Sequence, residues 1–284
     1  MRKIEFDKIV GSVAQLCEQI CHELPGDVLE SIQTAAENET DTRAKGILDK
    51  LLINADIAKK DRIPLCQDTG LAVVFVTLGS QVIMDDEHRR SITDAINVGI
   101  ELGYERGYLR KSVVAEPLRE RNNTGTNTPG VVHIEIVAGE VLKIEMMAKG
   151  GGCENKSQFR MFNPTAQPDQ IIDWVVGVVA QAGANACPPF VVGVGTGGDF
   201  EQCCYYSKKA LLRGIDDSHP DDFYAGLETQ MLDRINSLKV GPLGFGGDTT
   251  ALAVKIETGP CHIASLPVAV NIECHSHRHG SVEL

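Results

Sequence analysis

Three cysteines stand alone in three loops far apart in the chain: Leu65-Cys66-Gln67-Asp68-Thr69-Gly70, Asn185-Ala186-Cys187-Pro188-Pro189 and Ile272-Glu273-Cys274-His275. Each lies beside turn-forming, proline or ionisable residues, and together they make a ligand set for one metal centre. A fold that used them so would have to gather three distant loops. Structural zinc sites usually take ligands in close pairs such as C-x-x-C, and the sequence has no such pair. Three lone thiolates suit an iron-sulfur cluster with one iron uncovered, and an iron without a protein ligand can bind substrate and act as a Lewis acid.

The chain of 284 residues is 43% hydrophobic, enough for a substantial core in one large domain or two closely packed ones. A formal charge of −12, from 27 basic and 39 acidic residues, argues against nucleic acid or an anionic membrane as partner. An anionic substrate would need a locally positive pocket. The longest apolar stretch, Leu71 to Leu78, is far short of the ~20 residues that span a bilayer. Met1-Arg2-Lys3 leads into no signal-peptide core, so the expectation is a soluble cytoplasmic protein. Nine cysteines without regular spacing fit a reducing compartment and predict no structural disulfides.

The pattern is helical from Phe6 to about Arg62, with Ile9, Val10, Val13, Leu16 and Ile20 in one stripe and Asp41 placed to cap a further helix. Cys17 and Cys21 share a face there and read as core residues. Beyond the Ile63-Pro64 breaker, a strand is expected over 71–78 and a helix over about 85–105. Val131 to Val137 and Val141 to Met147 alternate and predict a hairpin turning at Gly139-Glu140. A helix over 167–184 leads to Cys187, which Pro188 is expected to hold extended. A short strand at 191–194, helices over 199–213 and 220–238, and strands over 251–257 and 266–272 complete a mixed α/β fold. It consists of N-terminal helices followed by mixed sheets and helices that enclose a cluster site. We expect one domain over 1–284, with a helical part at 1–62 and a cluster-binding part at 63–284.

Cys66-Gln67-Asp68-Thr69-Gly70, Asn123-Thr124-Gly125-Thr126-Asn127, Lys149-Gly150-Gly151-Gly152 and Ala186-Cys187-Pro188-Pro189 occur in this order. From about Asp41 to the C-terminus the chain resembles the α subunit of class I fumarate hydratase, whose close relative is L-tartrate dehydratase. The resemblance implies an oxygen-sensitive hydro-lyase with a 4Fe-4S cluster held by Cys66, Cys187 and Cys274. It implies Asp68 and His262 as catalytic groups, with Gln67, Arg110, Lys149 and Gly152 binding a small dicarboxylate. Its single-chain members carry a second domain that completes the active site. This sequence stops ten residues after Cys274, so a separate β subunit is expected, and dimerisation of α chains with it. In relatives the position of Cys153 is often serine, and here it reads as a pocket residue, with a ligand role in place of one of the three cysteines as the alternative. Fumarate hydration to malate is the favoured activity, on Glu154-Asn155-Lys156-Ser157 and Asn127-Thr128-Pro129; tartrate dehydration, towards which Gly152-Cys153 leans, is the alternative.

Other readings compete with these. Gly193-Val194-Gly195-Thr196-Gly197-Gly198 fits the dinucleotide pattern G-x-G-x-x-G, but a second helix follows where a compact βαβ unit requires a strand. These glycines are read as permitting close backbone approach or a turn. Lys149 precedes its glycines instead of following them, so that segment reads as an anion pocket, not a phosphate loop. Asp68 alone could be a loop cap, Arg110 a surface arginine and His262 a structural histidine. Cys203 and Cys204 read as packing residues, and Cys261 has no assignment. His275, His277 and His279 alternate about Arg278 and mark a basic segment. A non-catalytic iron-sulfur sensor or a nucleotide-binding module is the distant alternative.

Overall fold

The stripe of Ile9, Val10, Val13, Leu16 and Ile20 lies on α1 (Phe6–His22), and all five side chains are buried together with Cys17 and Cys21. Helices α2 (Gly26–Asn38) and α3 (Thr42–Asp61) follow. The Asp41 carboxylate opens α3 by accepting the N–H groups of Arg43 and Ala44, each at 2.9 Å. The computed structural model describes residues 1–284. They form two compact units: Met1–Pro25, Asn54–Gly150 and Arg278–Leu284 make the first, Gly26–Ile53 and Gly151–His277 the second. The helical N-terminal stretch is thus shared out, with α1 in the first unit and α2 in the second.

In the first unit, β1 (Arg2–Glu5) pairs in parallel with β3 (Val82–Asp85). The main sheet has the order β10 (His279–Glu283), β5 (Leu142–Lys149), β2 (Leu71–Gly79), β4 (Val131–Val137). Strand β2 is parallel to β4 and antiparallel to β5. The expected hairpin of β4 with β5 is therefore not formed, because β2 lies between them. Physically, β2 is apolar along nearly its whole length and is buried on both faces, which suits a central strand, whereas β4 is largely exposed and suits an edge. The helix expected from about residue 85 begins only at Ile92, as α4 (Ile92–Arg106), after β3 and a loop. Ser91 and Asp94 close a capping box at its start. Helix α4 packs on α1 through Gly99 and Gly103; a Cβ at Gly103 would lie 2.7 Å from the Ala14 carbonyl oxygen.

The second unit contains the short helix α5 (Gly151–Glu154), β6 (Gln158–Phe162), α6 (Pro168–Ala182), β7 (Phe190–Gly198), α7 (Phe200–Ala210), α8 (Asp222–Asn236), β8 (Ala251–Cys261) and β9 (Leu266–Glu273). Its sheet has the order β6, β9, β7, β8, with β7 parallel to β8 and antiparallel to β9. One face packs Val192, Val194, Ile256 and Val270 against Ile172 and Val175 of α6 and Met231 and Ile235 of α8. On the other face α7 crosses β7 so closely that a Cβ at Gly193 would stand 2.1 Å from the Ser207 carbonyl oxygen, and one at Gly195 2.1 Å from that of Cys203. The G-x-G-x-x-G run is thus mostly strand, longer than expected, and its first two glycines admit a helix rather than a nucleotide. Asp199 caps α7 by accepting the N–H groups of Glu201 and Gln202. The architecture is mixed α/β as expected, and no helix is long and apolar enough to cross a membrane.

Candidate active site and metal centre

Strand register decides what meets at the end of each sheet. In the first unit Leu71 at the start of β2 pairs with Lys149 at the end of β5, which sets the loop carrying Cys66 and Asp68 beside Lys149 and Gly150. Gly70 has φ +78, and a Cβ there would lie 2.7 Å from the Lys149 carbonyl carbon, so this close approach requires glycine. The loop is tied from several sides. Tyr104 donates its hydroxyl to the carbonyls of Thr69 and Gly70 at 2.9 and 3.0 Å. Asn127 donates to Gly70 at 3.2 Å and accepts the Ser112 N–H at 2.7 Å. Thr69 Oγ1 donates to the Arg110 carbonyl at 2.8 Å, so the sequence motifs at 66–70 and 123–127 and the segment of Arg110 form one assembly.

Two cations are buried in it. Lys149 is 1% exposed and Arg278 is 2% exposed. Arg278 donates to the Asp68 main-chain carbonyl, while the Asp68 Oδ1 atom accepts the Gly70 N–H at 3.2 Å. A Cβ at Gly150 would stand 3.2 Å from Asp68 Oδ2 and 3.5 Å from Arg278 Nη2, so the absent side chain leaves a small polar cradle between acid and guanidinium. Arg278 and Tyr104 were missed as site residues. The basic segment after Cys274 was a signal for Arg278, but nothing local marks Tyr104, whose role comes from packing. Gln67 and Arg110 are exposed, with Gln67 Oε1 3.3 Å from Cys66 Sγ.

In the second unit Val191 pairs with Glu273, which sets the Cys187 loop beside Cys274. The Cys187 carbonyl accepts the His275 N–H at 3.2 Å. Cys187 is exposed and left-handed (φ 57, ψ 64), not extended as Pro188 led us to expect. It ends a 3-10 turn over Gly183–Ala186, donating its N–H to the Ala184 carbonyl, and the left-handed conformation also avoids the right-handed region that proline disfavours. Cys274 is buried, its Sγ 3.2 Å from Ser276 Oγ. Cys153, on α5, donates its thiol to the Ala186 carbonyl at 3.4 Å. Gly152 lies on the same side of this unit, where its Cβ would be 3.9 Å from the Asn185 carbonyl oxygen.

The histidine expected in the site is elsewhere in its unit. Strand β8 runs parallel to β7, with Ala251 opposite Phe190 and Cys261 opposite Gly198, so exposed His262 follows the end of the sheet opposite Cys187 and Cys274. The strand separates them by about 30 Å at 3.3 Å per residue. Of the remaining cysteines, Cys203 is buried against β7, Cys204 is half-buried and Cys261 is exposed. No disulfide joins any of the nine.

The donor set fits an iron-sulfur cluster in its chemistry. Cys187 and Cys274 sit in adjacent loops of one unit, and Cys66 sits half-buried in the loop entering the central strand of the other. Cys66 and Cys187 are at least partly open to solvent and Cys274 is buried beside Ser276, and all three are soft sulfur donors of the kind such a cluster takes.

The profile of the fumarate hydratase (Fumerase) family matches residues 10–283. A Methanocaldococcus jannaschii protein provisionally named L(+)-tartrate dehydratase subunit alpha is 38% identical over 275 residues, covering 95% of each chain. The L(+)-tartrate dehydratase subunit alpha of Escherichia coli strain UTI89 is 29% identical over 280 residues, covering 98% of this chain and 91% of the relative. A family match over nearly the whole length, with the family's motifs gathered at the sheet ends of the two units, leads to one conclusion: the chain belongs to the fumarate hydratase family and is a hydro-lyase.

Proposed function

We propose that this chain is the α subunit of a two-subunit hydro-lyase acting on a four-carbon hydroxy dicarboxylate, with L(+)-tartrate as the first substrate and the fumarate–malate pair as the second reading. The observation that carries the substrate order is the likeness, along nearly the full chain, to relatives named as tartrate dehydratase α subunits. It reverses the preference drawn from the sequence, which put fumarate first. The family profile and Glu154-Asn155-Lys156-Ser157 keep the fumarate reading alive.

Cys66, Cys187 and Cys274 would hold the 4Fe-4S cluster. When bound, it supplies a Lewis acid for the departing hydroxyl, a poor leaving group at neutral pH. The chain's own groups do the rest. A net charge of −12 repels a dicarboxylate, so Lys149 and Arg278 must supply local positive charge, and burial strengthens their effect. Gly150 and Gly152, lacking side chains, let backbone N–H groups approach a carboxylate. Arg110 can grip a carboxylate with two parallel hydrogen bonds, and Gln67 adds a neutral donor. Asp68 takes the proton from the carbon adjacent to the one that bears the leaving hydroxyl, and Arg278 and the Gly70 N–H fix the loop that presents it. His262 enters as an outlying candidate whose replacement tests a catalytic role.

The subunit names of the relatives support a separate β subunit that completes the site, and dimerisation of α chains belongs to the same proposal. The test is an anaerobic assay of the reconstituted α–β pair with L(+)-tartrate, L-malate and fumarate. A higher kcat/KM for tartrate supports the substrate order, a higher value for malate or fumarate moves the chain to the second reading, and full activity of α alone removes the β subunit.

A further inference from the structure

Cys153 is buried in the core of the second unit and has no part in the cluster proposal. Its Sγ, that of Cys274 and a carboxylate oxygen of Glu273 all lie within 4.8 Å of one another. The three residues are 4%, 8% and 2% exposed. They come from two packed elements, α5 and the end of β9, so their spacing is set by the fold of one unit. Glu273 is oriented by the Cys274 N–H at 3.2 Å, Cys153 by the Ala186 carbonyl at 3.4 Å and Cys274 by Ser276 Oγ at 3.2 Å.

We propose that Cys153, Glu273 and Cys274 form a binding site for one divalent thiophilic cation of the zinc class. Donors around a tetrahedral zinc stand about 3.5 Å apart, given bonds of about 2.0–2.3 Å, so the three groups need to close by only about 1 Å. Binding releases two thiol protons, leaving two thiolates and a carboxylate around a doubly charged ion. A buried carboxylate beside two buried thiols is stabilised by such an ion, and the fourth position stays open to a small ligand. The site lies within one unit and requires neither the cluster nor a β subunit, so it is independent of the proposed function. It shares Cys274 with the three-cysteine set, which makes zinc and cluster occupancy mutually exclusive. Cys153 is thus the residue through which zinc would block cluster assembly in this chain.

The experiment titrates the full-length, iron-free chain anaerobically with Co(II), which reports thiolate coordination by charge-transfer absorption. One cobalt per chain, displaced by zinc, is expected. Cys153→Ser should weaken binding by about 10- to 100-fold or more, at least the loss caused by removing a ligand's supporting neighbour. Glu273→Gln, which keeps size and both thiols, should weaken it too, and carries the test if circular dichroism shows Cys153→Ser unfolded. Cys66→Ser should leave the cobalt spectrum unchanged. Zinc-loaded wild type should take up less iron and sulfide on reconstitution, and Cys153→Ser should relieve that block. Absence of thiolate–cobalt absorption in wild type, cobalt binding unchanged in folded Cys153→Ser or Glu273→Gln, or equal loss in Cys66→Ser would overturn the proposal.

Discussion

The two units solve one topological problem in two ways. In each, the first strand of the motif is central, a helical crossover leads to its parallel neighbour, and the chain then returns to its other side as an antiparallel strand: β2, β4 and β5 in the first unit, β7, β8 and β9 in the second. The outer strand comes from opposite directions in the chain, from β10 after the motif in one and from β6 before it in the other. This arrangement puts the loop entering the central strand beside the loop leaving the antiparallel strand. The first unit fills that place mainly with charge, Asp68, Lys149 and Arg278 beside the one thiol of Cys66, and the second mainly with thiols, Cys153, Cys187 and Cys274 beside the carboxylate of Glu273. Close packing is also achieved differently. The first unit puts its glycines on helix α4 against α1, whereas the second puts them in strand β7 against α7.

The strongest test of the division between charge and thiol is Asp68→Asn. It retains an acceptor for the Gly70 N–H, so iron content should be that of the wild type while kcat falls about 10²- to 10⁴-fold. Cys187→Ala should instead lose iron and sulfide, and a variant of either kind with the other's signature would break the comparison. Next come the glycines. Gly195→Ala drives a methyl into backbone that has no rotamer to yield, and should cost about 3 kcal/mol or more in a denaturant titration. Gly99→Ala meets the Val13 side chain as well as the Val10 carbonyl, and regains about 1 kcal/mol of helix propensity, so its loss should be smaller. The reverse order would show that the helix pair of the first unit is the less forgiving contact.

The smallest effect expected is that of pH. Burial is the main cause that pushes the Cys21 thiol up to about 11 and the Cys203 thiol up to about 12; Arg278 partly opposes it at Cys21, and Cys204 adds to it at Cys203. A folded pKa above the ordinary thiol value of about 8.5 means that their contribution to stability is complete below that pH and is lost as pH rises towards 11 and 12. Both units should therefore lose thermal stability above about pH 9. At pH 8 an alkylating reagent should modify exposed Cys187 and Cys261 before Cys17, Cys21 or Cys203. Equal labelling of Cys21 and Cys187 in the folded, iron-free chain would contradict the burial.

Periodicity made the elements legible where one face is apolar. The stripe on α1, the cap at Asp41 and the apolar run of β2 could be read locally because propensity, capping and burial pattern act within a few residues. The hairpin expectation failed for the opposite reason: which strands pair depends on a distant third strand more apolar than either. The glycines at 193 and 195 were visible, but their purpose depends on a helix that crosses the strand, and pattern alone cannot separate helix packing from nucleotide binding. Cys187 illustrates the same limit, since the rule for residues before proline excludes one region without choosing between those left.

By itself the sequence determined the family, the mixed α/β class and the residue types on which the chemistry draws, since motif order and side-chain identity are properties of the chain. Only the tertiary structure decided that Arg278 and Tyr104 hold the Asp68 loop, that Cys153 and Glu273 meet Cys274, and that His262 stands at the far end of its sheet. Strand order and register set those neighbours, and both arise from packing among segments far apart in sequence.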